Sequence, residues 1–211
     1  MMSTGQTPTR PGHAPGPRPK AMQGFLDALE VAFLQADLVP DARRAVNRVF
    51  AAAARPAPAG DPPSEQLPLT SLVPGALAPL LPRQDALGDL ARALIALGPQ
   101  LRWSTRKIVG PTASPGFAEA HANAYVMGPG GIEARGDLWI GLSLMAPGTR
   151  YPDHDHAPEE VYLLLTPGEF WHGDAAWITP GVGGTVYNVP GIRHAMRAVD
   201  QPFLAVWVLP V

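Results

Sequence analysis

The chain has 211 residues, enough for one domain with a substantial core, and its 16 basic and 18 acidic side chains give a formal net charge of −2. This charge provides no basic surface for nucleic acid or an anionic membrane, and the apolar runs are too short to span a bilayer. Because there is no cysteine, disulfide bonds, thiolate metal ligands and a cysteine nucleophile are excluded. The 26 prolines and 22 glycines indicate either disorder or a β fold with many tight turns.

The first half of the chain is predicted to hold a tail and three helices. Residues 1–20 are rich in proline and poor in large apolar side chains, which predicts a disordered tail. Apolar side chains then recur at helical spacing, and Asp85 is placed to cap the last helix. Eight prolines in residues 55–82 forbid a long regular element there and predict a wrapped loop. The predicted helices span residues 22–37, 40–54 and 85–98.

The second half has the pattern of a β fold. Segments of about four to eight residues follow one another, bounded by Gly, Pro and Asn. In one of them Leu138 and Ile140 face one side of the strand, while Trp139 and Gly141 face the other. Eight such strands predict a sandwich, barrel or jelly roll. They are expected at residues 101–109, 122–127, 138–145, 159–165, 175–178, 185–189, 195–199 and 203–209. The predicted division is a tail (1–20), a helical extension with a proline-rich linker (21–99) and a β-barrel (100–211).

Histidines and a carboxylate cluster in the sequence of the predicted barrel. His154 and His156 are two positions apart, so on a strand their imidazoles would share one face. A turn then leads to Glu160 and Tyr162, again two apart, and His194 follows a Pro-Gly turn. Imidazole and carboxylate ligands without sulfur favour a divalent transition metal, and they accept Zn²⁺, Fe²⁺, Mn²⁺, Ni²⁺ or Co²⁺ alike.

This pattern resembles the two motifs of the cupin superfamily. The first motif, G-x5-H-x-H-x3,4-E-x6-G, is matched by Gly148, His154, His156 and Glu160, with Gly168 one residue late. The second, G-x5-P-x-G-x2-H-x3-N, is matched by Gly184, Pro190 and His194. Here Gly191 follows Pro190 directly and Ala198 replaces the usual Asn, which shortens the turn but keeps the ligand. The resemblance covers residues 100–211 and implies a mainly β cupin (jelly-roll) barrel with an N-terminal α-helical extension.

Within the cupins, the chain most resembles the cupin-type dimethylsulfoniopropionate (DMSP) lyases. The resemblance rests on Tyr162 after the metal-type Glu, on Tyr151 before the histidine pair, on the run His-Ala-Pro-Glu-Glu-Val-Tyr at 156–162 and on the preceding helices. It implies a carbon–sulfur lyase that splits DMSP by β-elimination into dimethyl sulfide and acrylate. The implied metal-binding residues are His154, His156, Glu160 and His194, where His154 either ligates or orients a neighbour. The implied catalytic residues are Tyr162, as base, and Tyr151.

The expected partner is a small sulfonium carboxylate, and no nucleic acid or membrane partner is expected. A sulfonium is held well by an aromatic cage, since a cation over an aromatic face gains about 0.5–2 kcal/mol. The candidate cage residues are Trp171, Trp177, Tyr187 and Trp139. The helical extension is expected to pack against the barrel or to form a homodimer contact. With no apolar leader in its first 20 residues, the chain is expected to be cytoplasmic.

Other functions stay open from the residues alone. An Fe²⁺-dependent cupin dioxygenase would use the same ligands to activate oxygen, and a non-catalytic cupin would bind a small carboxylate or sugar as a sensor. An isomerase or epimerase also needs a base beside a carbonyl. His121 and His172 are each isolated and are expected to be structural or solvent-exposed, and Arg150 and Arg193, which flank the ligands, are expected to be solvated.

Overall fold

The computed structural model describes residues 17–61, 67–106 and 110–211. Most of the predicted tail, residues 1–16, lies outside the described residues, and so do 62–66 of the proline-rich stretch and 107–109 of the first predicted strand. Arg18 is described, and its guanidinium contacts the buried carboxylate of Glu133 at 2.6 Å.

Three helices, α1 (Lys20–Gln35), α2 (Pro40–Ala53) and α4 (Ala86–Leu97), form where the apolar periodicity predicts them, whereas the short helix α3 (Leu72–Leu77) lies in the stretch predicted to be a loop. Asp85 caps α4 as predicted, since its carboxylate accepts a hydrogen bond from the backbone N–H of Gly88 at 3.0 Å. Gly98 has right-handed helical angles, so the chain runs on into a 3₁₀ turn instead of stopping at a left-handed glycine. A further short helix is α5 (Phe117–Ala120). The 3₁₀ turns span Pro68–Ser71 and Gly98–Gln100.

Eight strands are present in the described residues. They are β1 (Trp103–Ser104), β2 (His121–Met127), β3 (Leu138–Met145), β4 (Glu160–Leu164), β5 (Glu169–His172), β6 (Thr185–Asn188), β7 (His194–Arg197) and β8 (Phe203–Pro210). The strand predicted at 175–178 is wrong, because this segment is a loop in which Ile178 makes one isolated bridge to Phe170. The strand in this region is β5, and it buries Phe170 in the barrel.

The strands form two antiparallel sheets. The larger has the order β1-β2-β3-β8-β4-β6, and the smaller pairs β5 with β7. Leu138 and Ile140, on one face of β3, share a hydrophobic core with the helices. The opposite face forms a second core with the small sheet, and it is rich in aromatic side chains. The helices therefore cover one face of the large sheet and leave the other for the barrel interior.

The helices and the large sheet belong to one continuous hydrophobic core, so the boundary predicted near residue 99 stays a prediction. Among the described residues, no helix is both long enough and apolar enough to cross a bilayer. The homodimer and the cytoplasmic location also stay predictions, since a single chain is described.

Candidate metal centre and cavity

Two loops and one strand bring the predicted metal-binding residues together. His154 and His194 exchange backbone hydrogen bonds, N to O at 3.0 and 2.9 Å, which pairs the first motif with the start of β7. The backbone N–H of Gly191 donates to the carbonyl of His156 at 2.9 Å, and its positive φ of 70° suits a glycine turn. These contacts bring one ring nitrogen of each of the three histidines within 4.8 Å of the others.

The histidine pair does not lie on a regular strand, so the shared strand face considered from the spacing of His154 and His156 is not what brings them together. Residues 151–159 form a loop with one isolated bridge at His154. Pro152 and Pro158 lie in this loop, and neither has a backbone N–H for a ladder. The imidazoles of His154 and His156 still converge, because the loop is tied to the segment that leads into β7.

The ring orientation of each clustered histidine is set by a backbone carbonyl two residues away. The acceptors for Nδ1 of His154, His156 and His194 are the carbonyls of Pro152, Pro158 and Ile192, at 2.9, 2.8 and 2.9 Å. With the proton on Nδ1, each neutral imidazole presents the lone pair of Nε2 to the centre of the cluster. This is the usual arrangement of metal-binding histidines.

Glu160, the first residue of β4, completes the cluster. Its Oε2 atom lies 3.2 Å from Nε2 of His156 and 3.3 Å from Nε2 of His194. Ligands about 2.1 Å from a tetrahedral metal lie about 3.4 Å from one another, so these separations fit a shared ion. The buried Nε2 of His194 has no hydrogen-bond partner among the described residues, and a bound cation would satisfy it. The donor set therefore fits a divalent metal.

The pKa shifts of Glu160 and His154 favour their metal-binding forms, whereas that of His156 favours a proton that a metal would have to displace. Burial alone would raise the pKa of Glu160, but the imidazoles of His156 and His194 hold it down to about 2. Burial beside His194 lowers the pKa of His154 to about 3, so this imidazole is neutral at pH 7. Burial also lowers the pKa of His156, but the Glu160 carboxylate outweighs this effect and leaves the pKa raised. A charged carboxylate beside neutral imidazole is the form that ligates a metal.

Tyr162 lies two residues along β4 from Glu160, on the same face of the strand. Its side chain is buried, and the burial and the adjacent Glu160 carboxylate raise the pKa of its phenol well above the ordinary value. Its ring centroid lies 5.0 Å from that of Phe170 in the small sheet. The hydroxyl therefore lies beside the cluster in a low-dielectric site, where nearby positive charge would act strongly on it.

A cavity of about 320 Å³ opens beside the cluster. Its aromatic wall consists of Tyr125, Trp139, Tyr151, Tyr162 and Trp207, and its polar lining includes Arg106, Asn123 and Ser143. The strand register explains the wall, because Tyr125 pairs with Gly141, Gly141 with Trp207, and Trp207 with Tyr162. One row of residues thus crosses four strands. Gly141 has no side chain in this row, and the indole of Trp207 occupies the space that a Cβ atom would need.

Tyr151 lies between the cluster and a small aromatic group. Its ring centroid is 4.9 Å from that of His154 and 5.1 Å from that of Phe117, which packs edge-on. Its hydroxyl accepts a hydrogen bond from Nδ2 of Asn123 at 3.3 Å. Both tyrosines predicted from the sequence therefore line the cavity.

The sequence model of the dimethylsulfoniopropionate lyase family matches residues 41–205. This chain belongs to the DMSP lyase family. It is 31% identical over 140 residues to the putative dimethylsulfoniopropionate lyase DddL of Cereibacter sphaeroides, a match that covers 66% of this chain and 57% of DddL. It is 30% identical over 127 residues to the dimethylsulfoniopropionate lyase DddQ of Ruegeria pomeroyi, which covers 57% of this chain and 60% of DddQ. The chain thus spans less than two thirds of the curated relatives it matches.

The crystal structure of the DMSP lyase DddQ from Ruegeria pomeroyi shares the fold. It superposes with a TM-score of 0.66 at 22% identity, over 90% of this chain and 91% of that chain. The predicted cupin barrel with an N-terminal helical extension is therefore confirmed, as is the resemblance to the cupin-type DMSP lyases.

In this DMSP lyase family member, one of the four predicted cage aromatics, Trp139, lines the cavity. Trp171, Trp177 and Tyr187 are not among its lining residues, so the prediction is wrong for them. The guanidinium of Arg197 lies 4.2 Å from the centroid of Trp177. Tyr187 donates from its hydroxyl to Glu159 at 2.6 Å.

Sequence reasoning missed several cavity residues of the DMSP lyase barrel, five of which are polar or aromatic residues that bear on its chemistry. They are Arg106, Asn123, Tyr125, Ser143 and Trp207. A signal was available for two of them. Ser143 and Trp207 belong to the alternating sets on β3 and β8 that face away from the apolar, helix-packed side. Polar and small residues on the inner face of a barrel strand mark space for a ligand.

The isolated histidines have structural contacts, and both flanking arginines bind a carboxylate of the protein itself. His121 is buried, stacks on Phe117 at 3.7 Å and accepts the backbone N–H of Arg106 at 2.7 Å. Nδ1 of His172 lies 3.2 Å from Oδ1 of Asn188. Arg150 and Arg193 both pair with Asp153, which links the two ligand-bearing segments.

Proposed function

We propose that this chain is a metal-dependent carbon–sulfur lyase that splits DMSP into dimethyl sulfide and acrylate. One observation carries the proposal: three histidines lie together with the Glu160 carboxylate, and His154, His156 and Glu160 of this cluster line one aromatic cavity with the buried phenol of Tyr162. Membership of the DMSP lyase family supports it. The curated relatives are matched over only part of their length, so the activity belongs to the proposal.

We assign the metal to Nε2 of His154, His156 and His194 and to the carboxylate of Glu160. A bound divalent metal would supply positive charge that holds a carboxylate oxygen, stabilises negative charge on it and lowers the pKa of neighbouring acids. The donor set of imidazole and carboxylate accepts Zn²⁺, Fe²⁺, Mn²⁺, Ni²⁺ or Co²⁺.

The cavity suits a short molecule with an anion at one end and a cation at the other. The carboxylate of DMSP belongs at the histidine cluster, beside Tyr151. The sulfonium belongs at Tyr125, Trp139 and Trp207, whose rings meet edge to face at centroid distances of 6.1 and 5.0 Å. An aromatic face over a desolvated cation contributes about 2 kcal/mol. The same wall excludes water from the reacting carbons.

Tyr162 is assigned as the base. Its phenolate oxygen takes the proton from the carbon next to the carboxylate, and the electron pair of that C–H bond forms the new carbon–carbon double bond. The C–S bond breaks with its electron pair on sulfur, so that neutral dimethyl sulfide leaves and acrylate stays. Tyr162 then passes the proton to water. The position of Tyr162 next to Glu160 puts the base beside the carboxylate end of the substrate.

The direct test is incubation of metal-replete protein with DMSP in a sealed vial. Equal amounts of dimethyl sulfide in the headspace and acrylate in solution are expected, and Tyr162→Phe should yield neither above background. If the wild-type protein gives no more dimethyl sulfide than Tyr162→Phe, the lyase proposal is wrong. Oxygen uptake linked to turnover would favour the Fe²⁺-dependent dioxygenase instead.

A further inference from the structure

Four side chains on the large sheet and the adjoining loop form an unbroken line of hydrogen bonds along the cavity wall. The indole Nε1 of Trp207 lies 3.0 Å from Oγ of Ser143. Oγ of Ser143 lies 2.7 Å from Oδ1 of Asn123, whose Nδ2 lies 3.3 Å from the hydroxyl oxygen of Tyr151. Ser143, Trp207 and Tyr151 are each at most 6% exposed, so bulk water does not compete for most of these contacts.

The chemistry of the first two members gives this line a direction. An indole N–H can only donate, so Ser143 accepts from Trp207. The single proton of the Ser143 hydroxyl is then free to donate to Asn123, which fixes Oδ1 as the acceptor and turns Nδ2 toward Tyr151. The reverse amide orientation would leave the buried Ser143 proton without this acceptor, at a cost in free energy.

The hydroxyl oxygen of Tyr151 therefore accepts a hydrogen bond from the side-chain amide of Asn123. Its own O–H proton cannot point back at Asn123, because Nδ2 is a donor. The hydroxyl lines the cavity beside His154, so its proton is available to an acceptor placed there. A donor preset in this way costs no reorganisation when an anionic oxygen arrives.

We infer that Trp207, Ser143 and Asn123 act as a one-way hydrogen-bond chain that fixes Tyr151 as a donor to a carboxylate oxygen in the cavity. Ser143 and Asn123 are positioning residues in this account, since they act through Tyr151. The inference rests on the proposed function in one respect, namely that the cavity ligand is a carboxylate. It also ties the indole of Trp207 to the Tyr151 hydroxyl through two intervening side chains.

A double-mutant cycle tests the hydrogen-bond chain. It measures the binding of acrylate, a carboxylate that lacks the sulfonium group. Calorimetry on metal-loaded protein would compare wild type, Ser143→Ala, Tyr151→Phe and the double variant. Tyr151→Phe should weaken acrylate binding about 10-fold or more, as expected for a hydrogen bond to a charged group. Ser143→Ala should weaken it about 3- to 10-fold in the wild type but leave it unchanged in the Tyr151→Phe background.

Two further measurements separate this role from a general loss of structure. The indole Nε1 proton resonance of Trp207 should shift in Ser143→Ala and keep its position in Tyr151→Phe. Ser71→Ala, which removes an exposed hydroxyl bonded to the Pro68 carbonyl, should leave acrylate binding unchanged. If Ser143→Ala does not fold, Asn123→Ala, at the half-buried link, takes its place in the cycle.

The experiments distinguish failure of the proposed hydrogen-bond chain from failure of the proposed lyase activity. The proposed hydrogen-bond chain would be overturned if Ser143→Ala weakened acrylate binding equally in both backgrounds, or if it had no effect in either. Absence of acrylate binding by the wild type would overturn it as well. The effects of Ser143→Ala and Tyr151→Phe on acrylate binding could be coupled in a protein that releases no dimethyl sulfide from DMSP. That result would support the hydrogen-bond chain and contradict the lyase proposal.

Discussion

The Nε2 atom of His194 lies 3.3 Å from the Oε2 atom of Glu160, in the buried centre of the candidate site. Since Nδ1 of His194 is paired with the Ile192 carbonyl, Nε2 presents a lone pair to the carboxylate. Two acceptors at this distance repel each other unless a cation or a proton lies between them. A metal ion would resolve the contact, and it would also fit the similar distance between Glu160 and His156.

Metal removal should lower thermal stability, because an ion that binds only the folded state stabilises it. At an ion concentration 100 times its dissociation constant, the contribution is about 2.7 kcal/mol. His194→Ala should abolish both the bound metal and the difference in melting temperature between chelated and metal-replete protein. His172→Ala, a histidine outside the cluster, should keep both. Equal metal content in the two variants, by elemental analysis, would exclude His194 as a ligand.

Tyr162→Phe should lower kcat for DMSP cleavage by about 10²- to 10⁴-fold, the range for loss of a general base. The dissociation constant of acrylate should change little, because the phenyl ring still fills the same buried space. Tyr187→Phe is the matched control, since its hydroxyl contacts Glu159 and neither residue lines the cavity. A parallel loss of activity in both variants would assign the effect to the fold.

The sequence predicts more of the donor cluster than of the cavity, for a physical reason. Motif spacing identifies the four metal-type residues, and the pairing of the two loops brings them together even though Pro152 and Pro158 keep the first pair off a strand. The aromatic wall depends on which strands are neighbours and in what register. The contact of Trp207 with Gly141 and Tyr162 is a product of long-range pairing that local alternation does not specify.

The helices and strands show the same contrast between features set by local sequence and features set by long-range contacts. Apolar periodicity and the Asp85 cap locate α4 to within one residue, since these signals are local. Ile95 lies in α4 and is apolar, yet it is 40% exposed in the structure, because the packing partners of a helix are not encoded in its local periodicity. The strand expected at 175–178 was misplaced because short β segments are decided by their partners, here by pairing of β5 with β7.

Gly141→Ala should displace the indole of Trp207, because the added Cβ atom would overlap the ring. We expect a loss of about 1–3 kcal/mol in the free energy of unfolding, the usual cost of overpacking, and a higher KM for DMSP. Gly136→Ala, where a Cβ atom meets no neighbour within 4 Å, should be neutral in both. Denaturant unfolding with steady-state kinetics measures the two effects, and unchanged values for Gly141→Ala would contradict the proposed packing.

His121 should make stability depend on pH. Burial lowers its pKa below 6.5, and the neutral ring accepts the backbone N–H of Arg106 at 2.7 Å. The unfolded state therefore binds a proton more readily, so the free energy of unfolding falls as the pH drops through 6.5. In metal-free protein, the fall from pH 8 to pH 5.5 should be smaller for His121→Asn than for the wild type. Parallel curves would mean that His121 makes no contribution.

The buried ion pairs at Glu133 should matter far more than those on the surface. The carboxylate binds Arg18 at 2.6 Å and Arg135 at 3.2 Å, with all three side chains at most 6% exposed. Glu133→Gln should cost about 3–5 kcal/mol, because the buried guanidinium of Arg18 loses its counter-charge and that of Arg135 keeps only its pair with Asp137. Arg44→Gln removes an exposed pair with Asp41 and should cost less than about 1 kcal/mol. Similar values for both variants by denaturant unfolding would contradict the predicted difference.

The most direct test of the lyase account is the initial rate of dimethyl sulfide release from DMSP by metal-replete protein, measured with and without oxygen. The account predicts equal rates under both conditions, one acrylate formed for each dimethyl sulfide, and no release by Tyr162→Phe. Elimination consumes no oxygen, and its proton is removed at Tyr162. No release by the wild type, or release that requires oxygen, would contradict it.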